Sequence, residues 1–513
     1  MISSLLTVVV GLAAVQLGEC RGFARDGKTP GIVRLAVVSK TPDASLRKRQ
    51  FPDRLINDDH GLEYLINCTS PASSFLLPLP SPSCIPSNNP SLVEIGNPPQ
   101  NVTAALDTGS SDTWVNPQCG TGNSLDSNAI CQRYGRYEPK KSPTAKGTKQ
   151  EMYLRYGSGA VLGEYWLDDL HLDGASIKAQ QFGIATRSQG LDTGLMGLSF
   201  GNQVGTSYPN IVDQLASQNI TQSRAFSLDL GSIDTPEGSI IFGGIDTKKF
   251  HGKLSKHPII PAAKSPDTYP RYWINMTSLT LTLPASKTQV GTPPAPKVFL
   301  NSTIAVFLDS GGTLSMLPSS IVRPLAAAFP GAKNVGSGQY TVPCSAMNQT
   351  GSVDFGFGEK IIRVPWKEFV WFVEPGLCAL GLMEGGEGTN ILGDTFLRAA
   401  FVVYDQDNQN LHLAESADCG SNLVAIGRGK DAVPSVVGAC SAPSYGDSPA
   451  STVKAAVSPP SLVPTPRPTA VQTPKITTSF VKTSVTGKPS MISTNKSTMT
   501  KKSAAPPVKT GGV

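Results

Sequence analysis

The chain is predicted to be mainly β, with two related lobes around a central cleft. Three observations predict this. First, runs of Val, Ile, Thr and Tyr are repeatedly broken by turn residues, with 50 glycines and 42 prolines in 513 residues; that pattern suits short strands joined by turns. Second, Leu106-Asp107-Thr108-Gly109-Ser110-Ser111 and Leu308-Asp309-Ser310-Gly311-Gly312-Thr313 each set an aspartate before a hydroxyl residue and a glycine, 202 positions apart. Third, Gly194-Leu195-Met196-Gly197 trails the first aspartate much as Ile391-Leu392-Gly393 trails the second. One Asp-Thr-Gly triplet usually marks an ordinary turn, but a pair in matching surroundings argues for a duplicated unit. Ala104-Ala105-Leu106 and Ile304-Ala305-Val306-Phe307-Leu308 precede the aspartates and suit buried strands that deliver a loop to a cleft floor. In such a loop glycine lets the backbone approach closely, and a small hydroxyl can hydrogen-bond a carboxylate.

Over most of residues 91–415 the order of motifs resembles the pepsin-like aspartic proteases. Val93-Glu94-Ile95-Gly96-Asn97-Pro98-Pro99-Gln100 is similar to the strand and turn ahead of that family's first catalytic loop, and Tyr153-Leu154-Arg155-Tyr156-Gly157-Ser158-Gly159 to its flap, a hairpin that closes over substrate. Gly238–Asp246, the Tyr272-Trp273 pair and Asn390–Arg398 follow in the family's order. The resemblance implies a two-lobed pepsin-like acid protease fold in which the apolar-apolar-glycine strands cross beneath the catalytic loops. A third triplet, Asp192-Thr193-Gly194, lies within the first of those strands and is followed by Leu-Met, so Asp192 is expected to be structural.

The resemblance implies that Asp107 and Asp309 bind a water, the ionised carboxyl removing its proton while the protonated one polarises the scissile carbonyl. Like charges about 3 Å apart cannot both ionise easily, and aspartic proteases are the worked case of that effect. The proton belongs to the coupled pair. Ser110 matches the family serine that hydrogen-bonds the first aspartate, and Trp114 the tryptophan that supports the flap tyrosine, here Tyr156. Tyr156, Gly157 and Ser158 at the flap, with Gly311, Gly312 and Thr313 in the second loop, are expected to contact substrate. The second loop departs from the pattern. A hydroxyl expected at Gly312 is delayed to Thr313, so either Thr313 reaches back or Asp309 lacks one hydrogen bond. The mechanism requires no metal or other cofactor.

The remaining segments follow in chain order. Residues 1–20 read as a secretory signal peptide, because Leu5–Leu17 is apolar and too short for a stable membrane span. Residues 21–49 end in Arg47-Lys48-Arg49 and read as a propeptide cut by a processing protease after Arg49. Residues 50–90 form an N-terminal segment with an insertion, 91–265 the first catalytic lobe, 266–420 the second, and 421–441 a C-terminal extension. Helices should be few, near Asn210–Gln218, where Asn210 suits an N-cap, and near Pro318–Phe329, where Pro324 argues for a kink. Net surpluses of +5 over residues 1–49 and +8 over 442–513, set against +6 for the chain, leave −7 for residues 50–441. A basic propeptide is thus expected to lie across an acidic cleft and leave as carboxylates protonate. Charge concentrated at the ends, without a basic-aromatic face, gives no support to nucleic-acid binding.

After Cys20 at the signal border, eight cysteines remain, an even number that favours disulfides in a secreted chain. Cys344–Cys378 resembles the family's second-lobe bridge, Cys119–Cys131 would close a loop beyond Trp114, and Cys419–Cys440 is a nearest-neighbour pairing. Residues 68–92, rich in proline and serine, interrupt a strand that otherwise joins Tyr64–Asn67 to Val93–Gly96. They are a surface insertion closed through Cys68 and Cys84, or translated non-coding sequence. Asn-x-Ser/Thr acceptors occur at Asn67, Asn101, Asn219, Asn275, Asn301, Asn348 and Asn495, and Asn101 and Asn301, beside the catalytic loops, are the candidates for burial. Residues 442–513, dominated by Ser, Thr, Pro, Ala and Lys, should form a disordered tail, an O-glycosylated stalk or a plain linker, without the terminal apolar segment of a lipid anchor. That tail is similar to the stalks of surface-associated yapsin-like relatives.

The expected protein is a secreted, wall- or surface-associated aspartic endopeptidase, a monomer with polypeptide substrates and no transmembrane span. Two rivals are a catalytically inactive binding or inhibitor protein of the same fold and a cell-wall structural glycoprotein. Glu164, Asp168 and Asp169 are weighed as sites for basic substrate side chains against an ordinary structural role, which is favoured.

Overall fold

The computed structural model describes residues 30–39, 64–65, 93–119, 131, 135–191, 193–202, 204–234, 237–284, 295–374, 376–386 and 388–442. The signal peptide, the Arg49 site, residues 68–92 with Cys68 and Cys84, Asp192 and the tail from 443 lie outside them. Among the described residues the architecture is mainly β: one 16-stranded sheet, a five-stranded sheet, two four-stranded sheets and a two-stranded ribbon. Few helices interrupt it. Ile211–Ser217 begins where expected, the Asn210 side chain accepting the Asp213 N–H while the Asp213 carboxylate accepts the Asn210 N–H, a reciprocal cap. Ser319–Ala328 buries Ile321, Val322, Leu325 and Ala326 and continues through Pro324, with Pro318 in the cap position.

The two lobes meet in one antiparallel run of strands: Phe250–Pro258, Asn410–Ser416, Ala400–Asp405, Ala225–Asp229, Glu237–Phe242 and Val33–Ser39. Strands from late in the chain thus complete a sheet begun by its first half. Ala400–Asp405 returns to pair with Ala225–Asp229, Tyr404 opposite Phe226, and the two rings stack at 4.7 Å with Tyr272 edge-on to Tyr404 at 4.6 Å. The aromatic packing and the completed ladder reward the long return of the chain.

Val33–Ser39 holds a second correction. Residues read as lying across the cleft form a strand against Glu237–Phe242, with Val33, Leu35 and Val37 buried and Arg34 paired with Asp246 at 3.5 Å. Alternating apolar residues make this stretch a better sheet strand than a cleft cover. Tyr64–Leu65 and Val93–Ile95 have different partners: Leu65 lies opposite Ala105, whereas Glu94 lies opposite His171. The second lobe repeats the first lobe's loop-bearing ladder in Trp273–Met276, Ile304–Leu308, Ile391–Leu392, Ser315–Pro318 and Leu382–Gly385. Disulfides join Cys119 to Cys131, Cys344 to Cys378 and Cys419 to Cys440. Asn101 and Asn301 are exposed rather than buried, Asn101 within the short strand Gln100–Val102 and Asn301 in the turn between Lys297–Leu300 and Ile304–Leu308. No helix among the described residues is long and apolar enough to cross a membrane.

His257 and His412 occupy neighbouring strands of the shared sheet, each with an unpartnered Nε2. Burial pushes both imidazoles down to about 4, so between that value and an ordinary 6.5 the unfolded chain binds protons that the folded chain refuses. Stability from these groups is therefore full above about pH 6.5 and is lost as pH falls toward 4. Thermal or urea unfolding of His412→Gln should show the variant losing less stability than the wild type over that window, by on the order of 2 kcal/mol; parallel curves would refute the assignment.

Candidate active site

Ala104–Asp107 runs parallel to Gly194–Gly197, with Gly197 level with Asp107, and Ile304–Leu308 runs parallel to Ile391–Leu392. Both apolar-apolar-glycine strands thus lie directly beside the strands that end in the aspartate loops. The loops are locked to each other. Thr108 Oγ1 donates to the Leu308 carbonyl at 3.0 Å and accepts the Ser310 N–H at 2.9 Å. Reciprocally, Ser310 Oγ donates to the Leu106 carbonyl at 2.9 Å and accepts the Thr108 N–H at 3.2 Å. All four bonds are buried, and each hydroxyl uses both its donor and its acceptor capacity.

This brace brings the Asp107 and Asp309 carboxyls together beside Gly311, where the Asp107 charge acts on Asp309. Glycine is required where the carboxyls converge: a Cβ at Gly109 would collide with the Asp309 carboxyl, and one at Gly311 would sit 2.6 Å from Asp107 Oδ1. The two carboxyls differ in their donors. Asp107 accepts the Gly109 N–H at 2.8 Å and the Ser110 hydroxyl. Asp309 accepts the Gly311 N–H at 2.9 Å. The Thr313 hydroxyl does not reach back to it; the Thr313 backbone carbonyl instead takes the Thr395 N–H at 3.1 Å. Of the two possibilities raised by the late hydroxyl, the missing bond is the one observed. Burial first, and the Asp107 charge second, push Asp309 up to about 7, opposed by the Gly311 N–H and the Arg271 guanidinium.

Above the loops, Lys146–Arg155 and Ala160–Leu172 form a hairpin closed at its tip by the Tyr156 N–H donating to the Gly159 carbonyl at 2.8 Å. The Trp114 Nε1–H donates to the Tyr156 hydroxyl at 2.9 Å, tying the hairpin to the first lobe's floor. Burial and the Asp107 charge hold the phenol well above its usual pKa. Arg155, Tyr156, Gly157, Ser158, Gly159 and Ala160 line a hollow with Gln189 and Gly190. Gly311, Gly312 and Thr313 belong instead to the opposite loop, with Gly311 exposed.

Sequence reasoning missed three neighbours. Asp112 is partly buried and accepts the hydroxyls of Tyr165 and Tyr208 at 2.7 and 2.8 Å; desolvation raises its carboxyl and the two phenols oppose the rise. Its place five residues after Asp107 was the available signal. Arg271 donates to the Gly109 carbonyl and to Asp267, between the rings of Tyr269 and Phe307. Asp394, inside the Asn390–Arg398 motif, is buried with neither carboxyl oxygen hydrogen-bonded, and burial holds it well above the carboxylate range. Asp168 accepts hydroxyls from Tyr137 and Thr144 inside the first lobe, and Asp169 pairs with Lys178 at 2.8 Å. Both have structural partners.

A family model described as eukaryotic aspartyl protease matches residues 91–416. The chain is 33% identical over 361 residues to the probable aspartic-type endopeptidase opsB of Aspergillus oryzae, covering 67% of this chain and 72% of that one. Similarity to the aspartic proteinase yapsin-3 of Saccharomyces cerevisiae is 31% over 370 residues, covering 68% and 70%. Candidapepsin-3 of Candida albicans is 32% identical over 348 residues, covering 65% and 81%.

Thr108→Val keeps the volume and removes one donor and one acceptor from the brace, stranding the buried Ser310 N–H. The expected cost is about 2–4 kcal/mol of unfolding free energy, read by urea denaturation; a loss below about 0.5 kcal/mol would show that the loops do not depend on it.

Proposed function

The chain belongs to the eukaryotic aspartyl protease family and is an aspartic-type endopeptidase; from that premise we propose that Asp107 and Asp309 hydrolyse peptide bonds through a shared water at acidic pH. The observation that carries this reading is the contact between two carboxyls held by the Thr108–Ser310 brace. The deprotonated member takes a proton from water as the oxygen attacks the scissile carbonyl, and the protonated member donates toward the carbonyl oxygen. Asp107 accepts the Ser110 hydroxyl and the Gly109 N–H, whereas burial and its neighbour favour the protonated form of Asp309, which suits Asp309 to the acid role. Asp107→Asn and Asp309→Asn test the assignment.

An extended substrate would lie beneath Tyr156, Gly157 and Ser158 and over Gly311, Gly312 and Thr313, adding as a strand through backbone hydrogen bonds. Trp114 would hold the flap tyrosine in its closed position. Residues 91–265 and 266–420 would form the catalytic lobes, with residues 421–441 as an extension and 400–416 completing the shared sheet. Residues 1–20 and 21–49 would be removed in secretion and processing, leaving Gln50 at the mature N-terminus. The acceptors Asn101 and Asn301, exposed in the fold, are open to glycosylation, and residues 442–513 would place the enzyme at the wall or surface.

On the full-length secreted product, Asp107→Asn and Asp309→Asn should each lower kcat/KM by at least about 10³-fold, with circular dichroism unchanged, and a statine-containing peptide should inhibit the wild type. Statine binding without hydrolysis at any acidic or neutral pH would establish the non-catalytic rival instead. N-terminal sequencing of the mature product should begin at Gln50.

A further inference from the structure

The two aspartate loops share one hydrogen-bonding plan with one position unequal. Each aspartate accepts the N–H of the glycine two residues later, and Thr108 and Ser310 exchange equivalent bonds. Three residues after the aspartate the loops part: Ser110 donates its hydroxyl to Asp107 Oδ2, and the corresponding Gly312 has nothing to give Asp309. Unlike Gly109 and Gly311, Gly312 is not required sterically. A Cβ there would make ordinary contacts, 3.7 Å to the Asp309 carbonyl oxygen, 3.7 Å to Ile391 and 3.9 Å to Asp309 Oδ2. A side-chain hydroxyl at this position would therefore stand within reach of the outer oxygen of Asp309. Its absence leaves that oxygen without the donor its partner enjoys.

Resting on the hydrolytic reading above, we propose that Gly312 is a positioning residue that extends catalysis toward neutral pH by withholding from Asp309 the hydroxyl donor that Ser110 gives Asp107. A donor stabilises the carboxylate over the carboxylic acid, so its absence raises the pH at which the pair loses the proton it must share. The groups facing Asp309 set the background: Asp107 from the first loop and Arg271 from the segment before Trp273, Asp394 from the helix Asp394–Leu397, and Tyr404 from the shared sheet. Three of these four are acids. Only Arg271 favours the ionised form, and Asp394, whose N–H donates to the Gly312 carbonyl at 2.8 Å, brings an unpartnered carboxyl to the same side. In this acidic surrounding a single hydroxyl has a large share in deciding where Asp309 titrates.

The experiment is the pH dependence of kcat/KM on a peptide substrate for the wild type, Gly312→Ser, Gly312→Thr and Gly312→Ala. The serine variant should move the alkaline limb toward acid by about one pH unit, leaving the acid limb near its wild-type place. Threonine should do the same and serves in place of serine if that variant unfolds; alanine, which fills the same space without a hydroxyl, should keep the alkaline limb at its wild-type pH whatever its absolute rate. The inference is overturned if the hydroxyl variants keep the wild-type limb, or if alanine shifts as far as serine. An inactive wild type, or an active Asp309→Asn, would instead overturn the hydrolytic reading itself.

Discussion

Two carboxyl groups that repel when ionised are forced to share one space, and the four hydrogen bonds that Thr108 and Ser310 make across the loops, two to each other and two to the Leu106 and Leu308 carbonyls, oppose that repulsion. Coulomb energy between like charges is large where water is excluded, so flexible loops would swing apart or admit solvent. The brace prevents both, because each hydroxyl bonds to the other loop's backbone rather than to its own. Much of the surrounding fold serves the same constraint. The parallel strands Gly194–Gly197 and Ile391–Leu392 stiffen the bases of the loops, and the sheet shared between lobes fixes the distance between the two bases.

Once the pair is held, its chemistry follows from unequal surroundings. Asp107 has two donors from its own loop and Asp309 has one, while burial acts on Asp309 as the larger influence. The raised Asp309 can remain an acid at a pH where an ordinary carboxyl has ionised. The Arg271 guanidinium opposes the rise of Asp309. The flap is tied into the same site, because Trp114 lies on the strand that follows the first loop and bonds the Tyr156 hydroxyl directly. Closure of the hairpin and placement of the dyad therefore share one short piece of chain.

The family and the loops were legible because their signals are local. Asp107 and Asp309 lie in short motifs whose glycines and hydroxyls follow from close approach and hydrogen bonding, and Asn210 announces a helix cap from its residue type alone. Arg271, Asp112 and Asp394 were not legible as neighbours of the dyad. Their relevance arises from partners 162, 53 and more residues away, and a single charged residue in a β-rich sequence carries no mark of what it will face. Val33–Ser39 was misread for a related reason: the basic charge of its segment suggested an acidic cleft, while its alternation of Val33, Leu35 and Val37 carried the stronger, and correct, statement about a sheet.

The sequence by itself determined the chemical inventory: two aspartate loops, a flap with its tyrosine, helices at Asn210 and Pro318, and a body of short strands. Each depends on interactions that close within a few residues, so composition and order suffice. Tertiary structure alone decided that the strands Ala400–Asp405 and Asn410–Ser416 return to the first half's sheet, that Asp309 receives the Gly311 N–H but no hydroxyl from Thr313, and that neither carboxyl oxygen of the buried Asp394 is hydrogen-bonded. These outcomes depend on which distant segments fill the remaining space and supply the remaining hydrogen bonds, a competition that no local stretch of chain encodes.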